Sequence, residues 1–274
     1  MVGSFLNVVI YRLPVHMIAE WLEMARDVML EYAKVDEKHL PLPSTEKFNI
    51  AFPASHCPKC KAPIKPWHNI PVISYLFLLK GKCHACKDKI SPRYPIIEAV
   101  TGLLSVFVVY KFGLTWESAL VLLFTWSLIV LTMIDIDKQL LPDDITLPLM
   151  WIGLLANISG LFTDVSSAVI GAVAGYMTLW CVYWLFKILT KKEGMGYGDF
   201  KLLAALGAWM GWQALPLIII LSSMVGAVIG IAGIIIMGKD KSKPMPFGPY
   251  LAIAGWIAFF WGDVISAAYL DTLK

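Results

Sequence analysis

The chain has 274 residues, of which 58% are hydrophobic and 16% are charged, and its mean hydropathy is +0.69. These values exclude an ordinary soluble domain, in which charged residues are more frequent and apolar residues less so. The formal net charge of +3 does not indicate a nucleic-acid partner. We therefore expect a helical protein that crosses a membrane several times and binds no nucleic acid.

Apolar runs predict the membrane spans. A hydrocarbon core about 30 Å thick requires roughly 20 apolar residues, each rising about 1.5 Å. Residues 1–10 look like the end of a span whose beginning is missing, and the short run 200–211 is expected to dip into the membrane or to line a wet cavity. The predicted fold class is all-α and polytopic, with about seven to eight spans, the first truncated. The full runs are 96–113, 116–135, 145–162, 167–189, 214–237 and 247–268.

One sizeable hydrophilic region interrupts this pattern and divides the chain into three predicted parts. Residues 1–10 are the remnant of a transmembrane helix, residues 11–95 form a zinc-binding domain, and residues 96–270 form a transmembrane domain. Within the second part, Val15 to Lys38 has apolar residues at helical spacing, which predicts an amphipathic helix on the membrane or the bundle. The proline-rich stretch from Leu40 to Phe52 is expected to be extended.

The distribution of basic residues predicts the orientation in the membrane. Thirteen Lys and Arg residues lie between Arg12 and Arg93, and the loop with Lys239, Lys241 and Lys243 falls on the same side. The opposite side keeps only Lys111 and Lys274. Because cytoplasmic loops carry the excess of positive charge, the zinc-binding domain is expected to face the cytoplasm and to contact anionic lipid headgroups.

Two C-x-x-C pairs, Cys57 with Cys60 and Cys83 with Cys86, are separated by 22 residues. This spacing predicts a ribbon or knuckle that holds one structural Zn²⁺ through four thiolates, since a catalytic zinc keeps an open position. Disulfides and a redox site are the weaker alternatives, because the cytoplasm is reducing and no thioredoxin-like pattern is present. Three histidines, His56, His68 and His84, are weaker ligand candidates. Cys181, in the middle of a span, is expected to be a buried small residue.

Four acidic residues lie at the end of the run 116–135 or shortly after it. A carboxylate at the edge of a hydrocarbon segment is costly unless it faces water, a partner or a substrate. Asp135 and Asp137 point to different faces of a helix, and Asp135 is the better candidate for the deeper group. Asp143 or Asp144 precedes a new helix, so at least one of them is expected to act as its N-cap.

A second acidic site, Asp199, follows the glycines at positions 194, 196 and 198 and opens another apolar run. Asp199 is a reasonable N-cap, but alternate glycines also permit close backbone approach and positive φ, which suits a loop that admits an extended peptide. A phosphate-binding loop is disfavoured because no Lys-Ser/Thr follows. Asp135 and Asp199 together predict a membrane-embedded aspartic protease whose carboxylates share one proton and activate water.

The segment from Gly196 to Ala205 resembles the G-x-G-D signature of intramembrane aspartic proteases and, with Lys201 and Leu202, that of the type 4 prepilin peptidases. The other resembling segments are residues 3–14, both C-x-x-C pairs, 91–98, 134–143 and 246–249. The resemblance covers nearly the whole chain in the family's order.

This resemblance implies a bifunctional enzyme of the bacterial inner membrane with its zinc domain and active site at the cytoplasmic face. Such enzymes cleave type IV prepilins and type II secretion pseudopilins after a glycine, then N-methylate the new terminal residue with S-adenosylmethionine. The catalytic pair maps onto Asp135 and Asp199. The cysteine tetrad maps onto Cys57, Cys60, Cys83 and Cys86.

Glu98, at the start of the first full span, is a candidate for binding the S-adenosylmethionine cofactor or the new ammonium group, or for pairing with Arg93. No dinucleotide-binding fingerprint is present. Two other functions remain open: an intramembrane aspartic protease without methyl transfer, and a non-enzymatic scaffold with a zinc module. The pattern does not predict an oligomeric state.

Overall fold

The computed structural model describes residues 1–33, 49–237 and 245–272. In these ranges the regular structure is helical and no β-strand forms, which confirms the all-α fold class. The predicted extended stretch from Leu40 and the loop with Lys239, Lys241 and Lys243 lie mostly or wholly outside the described residues. The α-helices are Val2–Glu31 (α1), Arg93–Phe112 (α2), Trp116–Lys138 (α3), Asp143–Ile158 (α4), Val165–Thr190 (α5), Tyr197–Met210 (α6), Leu215–Met237 (α7) and Gly248–Thr272 (α8).

Six helices in the described part of the chain are long and apolar enough to cross a membrane, namely α1, α2, α3, α5, α7 and α8. The predicted span 145–162 is not among them. Its helix α4 has 16 residues and is about 24 Å long, shorter than the hydrocarbon core. The chain turns after Ile158 because the buried Asn157 side-chain oxygen accepts hydrogen bonds from the amides of Phe162 and Thr163.

The chain divides into two compact units, Met1–Lys111 and Phe112–Lys274. In the first unit, α1 is continuous across the predicted boundary at residue 10, with Pro14 inside it, and includes much of the predicted amphipathic helix. Asn7 donates to the carbonyl of Tyr94 at 3.2 Å, and a Cβ on Gly3 would lie 2.8 Å from the Cα of Glu98. These contacts run antiparallel, so only the first turns of α1 lie beside α2.

In the second unit, the short helix α6 is surrounded by α4, α5 and α8. Ten of its residues are buried, including Phe200 and Trp209. The Trp209 indole donates to the carbonyl of Leu149 on α4 at 2.8 Å. A Cβ on Gly207 would lie 2.2 Å from the carbonyl oxygen of Gly171, so α5 and α6 touch backbone to backbone. The run 200–211 therefore forms a helix enclosed by protein.

Candidate active site and metal centre

Asp135 lies near the end of α3 and is 5% exposed, whereas Asp137 is exposed. One Asp135 carboxylate oxygen accepts a hydrogen bond of 3.0 Å from the amide of Gly248, the first residue of α8. A Cβ at position 248 would lie 2.7 Å from this oxygen. The glycine therefore allows the α8 amide to reach the carboxylate.

Asp199 is the third residue of α6 and is also 5% exposed. Its carboxylate accepts a hydrogen bond of 3.2 Å from the amide of Gly196, the N-cap residue, so it helps to cap the helix from within the first turn. The expected positive φ is not observed at the glycines of positions 194, 196 and 198. Two of them instead permit close approach, since a Cβ on Gly194 would lie 2.8 Å from the Phe186 ring and a Cβ on Gly198 would lie 2.6 Å from the Cβ of Leu141.

Leu141 links the surroundings of the two carboxylates. Its side chain approaches Gly198 beside Asp199 and Gly248 beside Asp135. The two carboxyl groups are also close enough in space to interact electrostatically. The fold thus brings together two buried acids that are 64 residues apart in sequence.

The other acids differ from the capping prediction. The N-cap of α4 is Pro142, and no side chain caps the helix. Asp143 and Asp144 lie in the first turn, where the positive end of the helix dipole stabilises their negative charges. Asp143 also forms a salt bridge with Lys201, with Nζ–Oδ distances of 2.6 and 2.7 Å. This pair, which links α4 to α6, was missed because no sequence periodicity relates positions 143 and 201.

The four cysteines of the C-x-x-C pairs form one cluster, with all sulfur atoms within 4.8 Å of one another. The Sγ–Sγ distances Cys57–Cys86 and Cys60–Cys83 are both 3.9 Å. A tetrahedral zinc ion with Zn–S bonds of about 2.3 Å requires edges of about 3.8 Å, whereas a disulfide requires about 2.05 Å. The donor set and its geometry therefore fit a structural zinc ion.

The two C-x-x-C turns have the same backbone geometry. In each, the amide of the first cysteine donates to a carbonyl five positions later, and an amide four positions later donates to the carbonyl of that cysteine. The residues involved are Cys57 with Ala62 and Lys61, and Cys83 with Asp88 and Lys87. One antiparallel β-bridge closes each turn, between His56 and Pro63 in the first and between Lys82 and Lys89 in the second.

The surroundings of the cluster affect its thiols unequally. Backbone hydrogen bonds from Cys86 and Ala85 lower the pKa of Cys83 to about 7, whereas burial and hydrogen bonds with the other three cysteines raise the pKa of Cys86 to about 11. Lys59 of the first turn pairs with Asp88 of the second at 3.0 Å, which ties the turns together. None of the three candidate histidines belongs to the sulfur cluster in the described part of the chain, although the His68 and His84 rings are in contact with centroids 4.7 Å apart.

Comparison with known proteins places these sites in a family. Residues 1–112 match the bacterial peptidase A24 N-terminal domain, and residues 122–231 match the type IV leader peptidase family. A relative from Stutzerimonas stutzeri is 54% identical over 99% of this chain and 91% of its own length. Relatives from Aeromonas salmonicida strain A449 and Neisseria gonorrhoeae are 54% and 49% identical, over 100% and 97% of this chain and 91% and 88% of their own lengths.

The chain therefore belongs to the type IV leader peptidase family. All three relatives are named prepilin leader peptidase/N-methyltransferase. No solved structure matches the chain.

Two remaining candidates of the sequence lie in different surroundings. Glu98 is partly buried in α2, where its oxygens accept hydrogen bonds from the Ser4 hydroxyl and, at 2.9 Å, from the amide of Val72. Neither donor was predicted from the sequence. Cys181 is exposed on α5, so the expectation that it is buried is wrong. A position within a membrane span need not be enclosed by protein, because lipid can cover it.

Proposed function

We propose that this protein removes the leader peptide from type IV prepilins and type II secretion pseudopilins after a glycine, and then N-methylates the new terminal residue. Membership of the leader peptidase family and the names of relatives that match the whole chain support both activities. The observation that carries the peptidase activity is the pairing of two buried carboxylates, Asp135 and Asp199, at the ends of helices.

Asp135 and Asp199 are the proposed catalytic pair. Two close carboxylates in a site of low dielectric resist double ionisation, so they titrate as a unit and share one proton. The ionised member takes a proton from the attacking water, and the protonated member polarises the scissile carbonyl. The amides of Gly248 and Gly196 each hold one oxygen of an aspartate, which orients the pair before substrate binds.

The position of the pair matches the chemistry of the substrate class. A prepilin has a cationic leader, the scissile bond and then a long apolar segment, so its cleavage site lies at a membrane boundary. Asp135 is the twentieth of 23 residues in α3, close to the end of that span. The excess of Lys and Arg in the first 95 residues supports a cytoplasmic location for this end, in a bacterial inner membrane.

For methyl transfer, we assign a supporting role to the cysteine cluster and a binding role to Glu98. S-adenosylmethionine supplies the methyl group that the new terminal amine accepts. The carboxylate of Glu98 accepts hydrogen bonds from Ser4 and Val72, which fix its position. A fixed carboxylate suits the cationic ammonium group of either the cofactor or the cleaved pilin. The four thiolates of the cluster hold zinc, which keeps the two C-x-x-C turns together.

One mass-spectrometric experiment tests both activities. The purified protein in lipid vesicles is incubated with a prepilin, with and without S-adenosylmethionine. Leader loss in both samples, with one added methyl group only in the second, is the expected result. Leader loss without methylation would show that the protein is a protease and not a methyltransferase. An unchanged prepilin would support the alternative of a non-enzymatic scaffold.

A further inference from the structure

Between the two C-x-x-C pairs lies a short apolar segment, residues 73–79, which we call the apolar turn. Its centre is a single π-helical turn, Ser74–Leu78. Four large apolar side chains of this turn are exposed, Ile73 by 55%, Leu76 by 55%, Phe77 by 72% and Leu78 by 57%. Soluble domains rarely expose apolar residues in such a contiguous group, and such patches mark sites that contact a protein, a ligand or a membrane.

The apolar turn is ordered by its polar residues. Ser74 is 1% exposed, and its hydroxyl donates to the carbonyl of His68 at 2.7 Å. The amide of Leu79 donates to the carbonyl of Ser74 at 2.8 Å, and the amide of Gly81 donates to that of Tyr75 at 2.9 Å. The hydroxyl therefore points inward and the apolar side chains point outward, which is the reverse of the usual order in water.

A hydrogen bond to α2, a membrane-spanning helix, fixes the position of the apolar turn along the axis of that helix. The amide of Val72, directly before the turn, donates to Glu98 at 2.9 Å. Glu98 is the sixth residue of α2, about 8 Å from its start. Because α2 has 20 residues and is about 30 Å long, it must enter the hydrocarbon close to Arg93 in order to span it. The turn therefore lies at the membrane boundary.

The charges around the apolar turn complement a lipid surface. Residues 57–89 contain seven lysines and one acidic residue, Asp88. Lys80 and Lys82 follow the turn directly and are exposed. Exposed apolar residues with flanking lysines are typical of segments that lie in the interface, with the apolar side chains among the acyl chains and the ammonium groups near anionic headgroups.

We propose that the apolar turn is a membrane-interface anchor, which inserts Ile73, Leu76, Phe77 and Leu78 into the leaflet that α2 enters and binds anionic phospholipids. This anchor fastens the segment between the two C-x-x-C pairs to the bilayer. The inference depends on α2 spanning the membrane and not on the proposed catalysis, so it can fail while prepilin cleavage is observed.

Photocrosslinking tests the anchor. The photoreactive residue p-benzoylphenylalanine replaces Phe77, a conservative change of an exposed aromatic side chain, in the full chain reconstituted in vesicles of phosphatidylethanolamine and phosphatidylglycerol. The matched control carries the same residue in place of Lys61, which is exposed at the end of the first C-x-x-C turn. Both proteins must retain zinc, which reports that the first unit is folded.

After illumination, mass spectrometry identifies the molecules attached to each site. Phospholipid adducts at position 77, several-fold more abundant than at position 61, are the expected result. Two outcomes would overturn the anchor: equally rare lipid adducts at the two positions, or adducts at position 77 to a protein chain, which would identify the turn as a protein interface.

Discussion

The carboxylate of Asp135 accepts a hydrogen bond from the amide of Gly248, which lies 113 residues later in the chain. This bond joins the end of α3 to the beginning of α8 and fixes one face of the proposed catalytic carboxylate. The bond requires glycine at position 248, because the Cβ of any other residue would lie 2.7 Å from the bonded oxygen.

Replacing Gly248 with Ala should therefore slow prepilin cleavage. The added methyl group displaces the Asp135 carboxylate, and a displacement of about 1 Å at a catalytic group costs about 10²-fold in rate. The initial rate of leader removal measures the effect. Gly102→Ala is the matched control, because nothing lies within 4 Å of a Cβ at that position. Equal rates for the two variants would contradict the proposed role of the Gly248 amide.

Replacing either Asp135 or Asp199 with Asn should abolish cleavage while zinc content and helicity stay unchanged. Asparagine keeps the size of the side chain but cannot exchange the proton that the pair shares, and general acid–base catalysis contributes roughly 10²–10⁴-fold. Asp137→Asn, at the exposed acid two residues from Asp135, should remain active. A fully active Asp199→Asn protein would remove the proposed mechanism.

The cleavage rate should show a bell-shaped dependence on pH. Activity requires one proton on the pair, so it falls at low pH when Asp135 and Asp199 are both protonated and at high pH when both are ionised. Steady-state cleavage of a prepilin over a pH series measures the two limbs. A profile with only one limb would show that a single ionisation governs the reaction.

Replacing Cys57 and Cys60 with Ser should remove zinc and lower methyl transfer more than cleavage. The two thiolates supply half of the ligands, whereas the proposed peptidase pair lies in the other compact unit. Metal analysis and mass spectrometry of the processed pilin measure the two effects, and Cys181→Ser is the control because Cys181 lies outside the cluster. Equal loss of both activities would instead indicate a general folding defect.

The salt bridge between Lys201 and Asp143 should contribute modestly to stability. Asp143 is half exposed, with 51% of its side chain accessible, so solvent screens the attraction. Double-mutant cycles of exposed pairs give about 0.2–1 kcal/mol. Thermal unfolding of Lys201→Met, Asp143→Asn and the double variant measures the coupling. Strictly additive effects of the two substitutions would show that the contact stabilises nothing.

Much of this organisation follows from local sequence. The apolar runs predicted most of the long helices because their length reflects the thickness of the membrane. The C-x-x-C spacing predicted the sulfur cluster because ligand spacing is a local property. The preference for Asp135 over Asp137 as the deeper acid agrees with their burial, while the catalytic role of Asp135 stays a prediction.

The features that the sequence did not predict depend on contacts between distant residues. The early end of α4 depends on the side chain of Asn157, and the capping prediction failed because Asp143 finds its partner at Lys201. The two donors to Glu98 come from residues 4 and 72, which are 68 positions apart in the sequence. No pattern of propensity or periodicity encodes such pairs.

The backbone contact between Gly171 and Gly207 determines where α6 sits along α5. Since neither helix can shift along the other without a clash, the position of Asp199 across the membrane follows that of α5. We therefore expect lipids of different chain length to tilt the outer helices before they move this carboxylate. Protein contacts, rather than bilayer thickness, then determine the height of the proposed catalytic site.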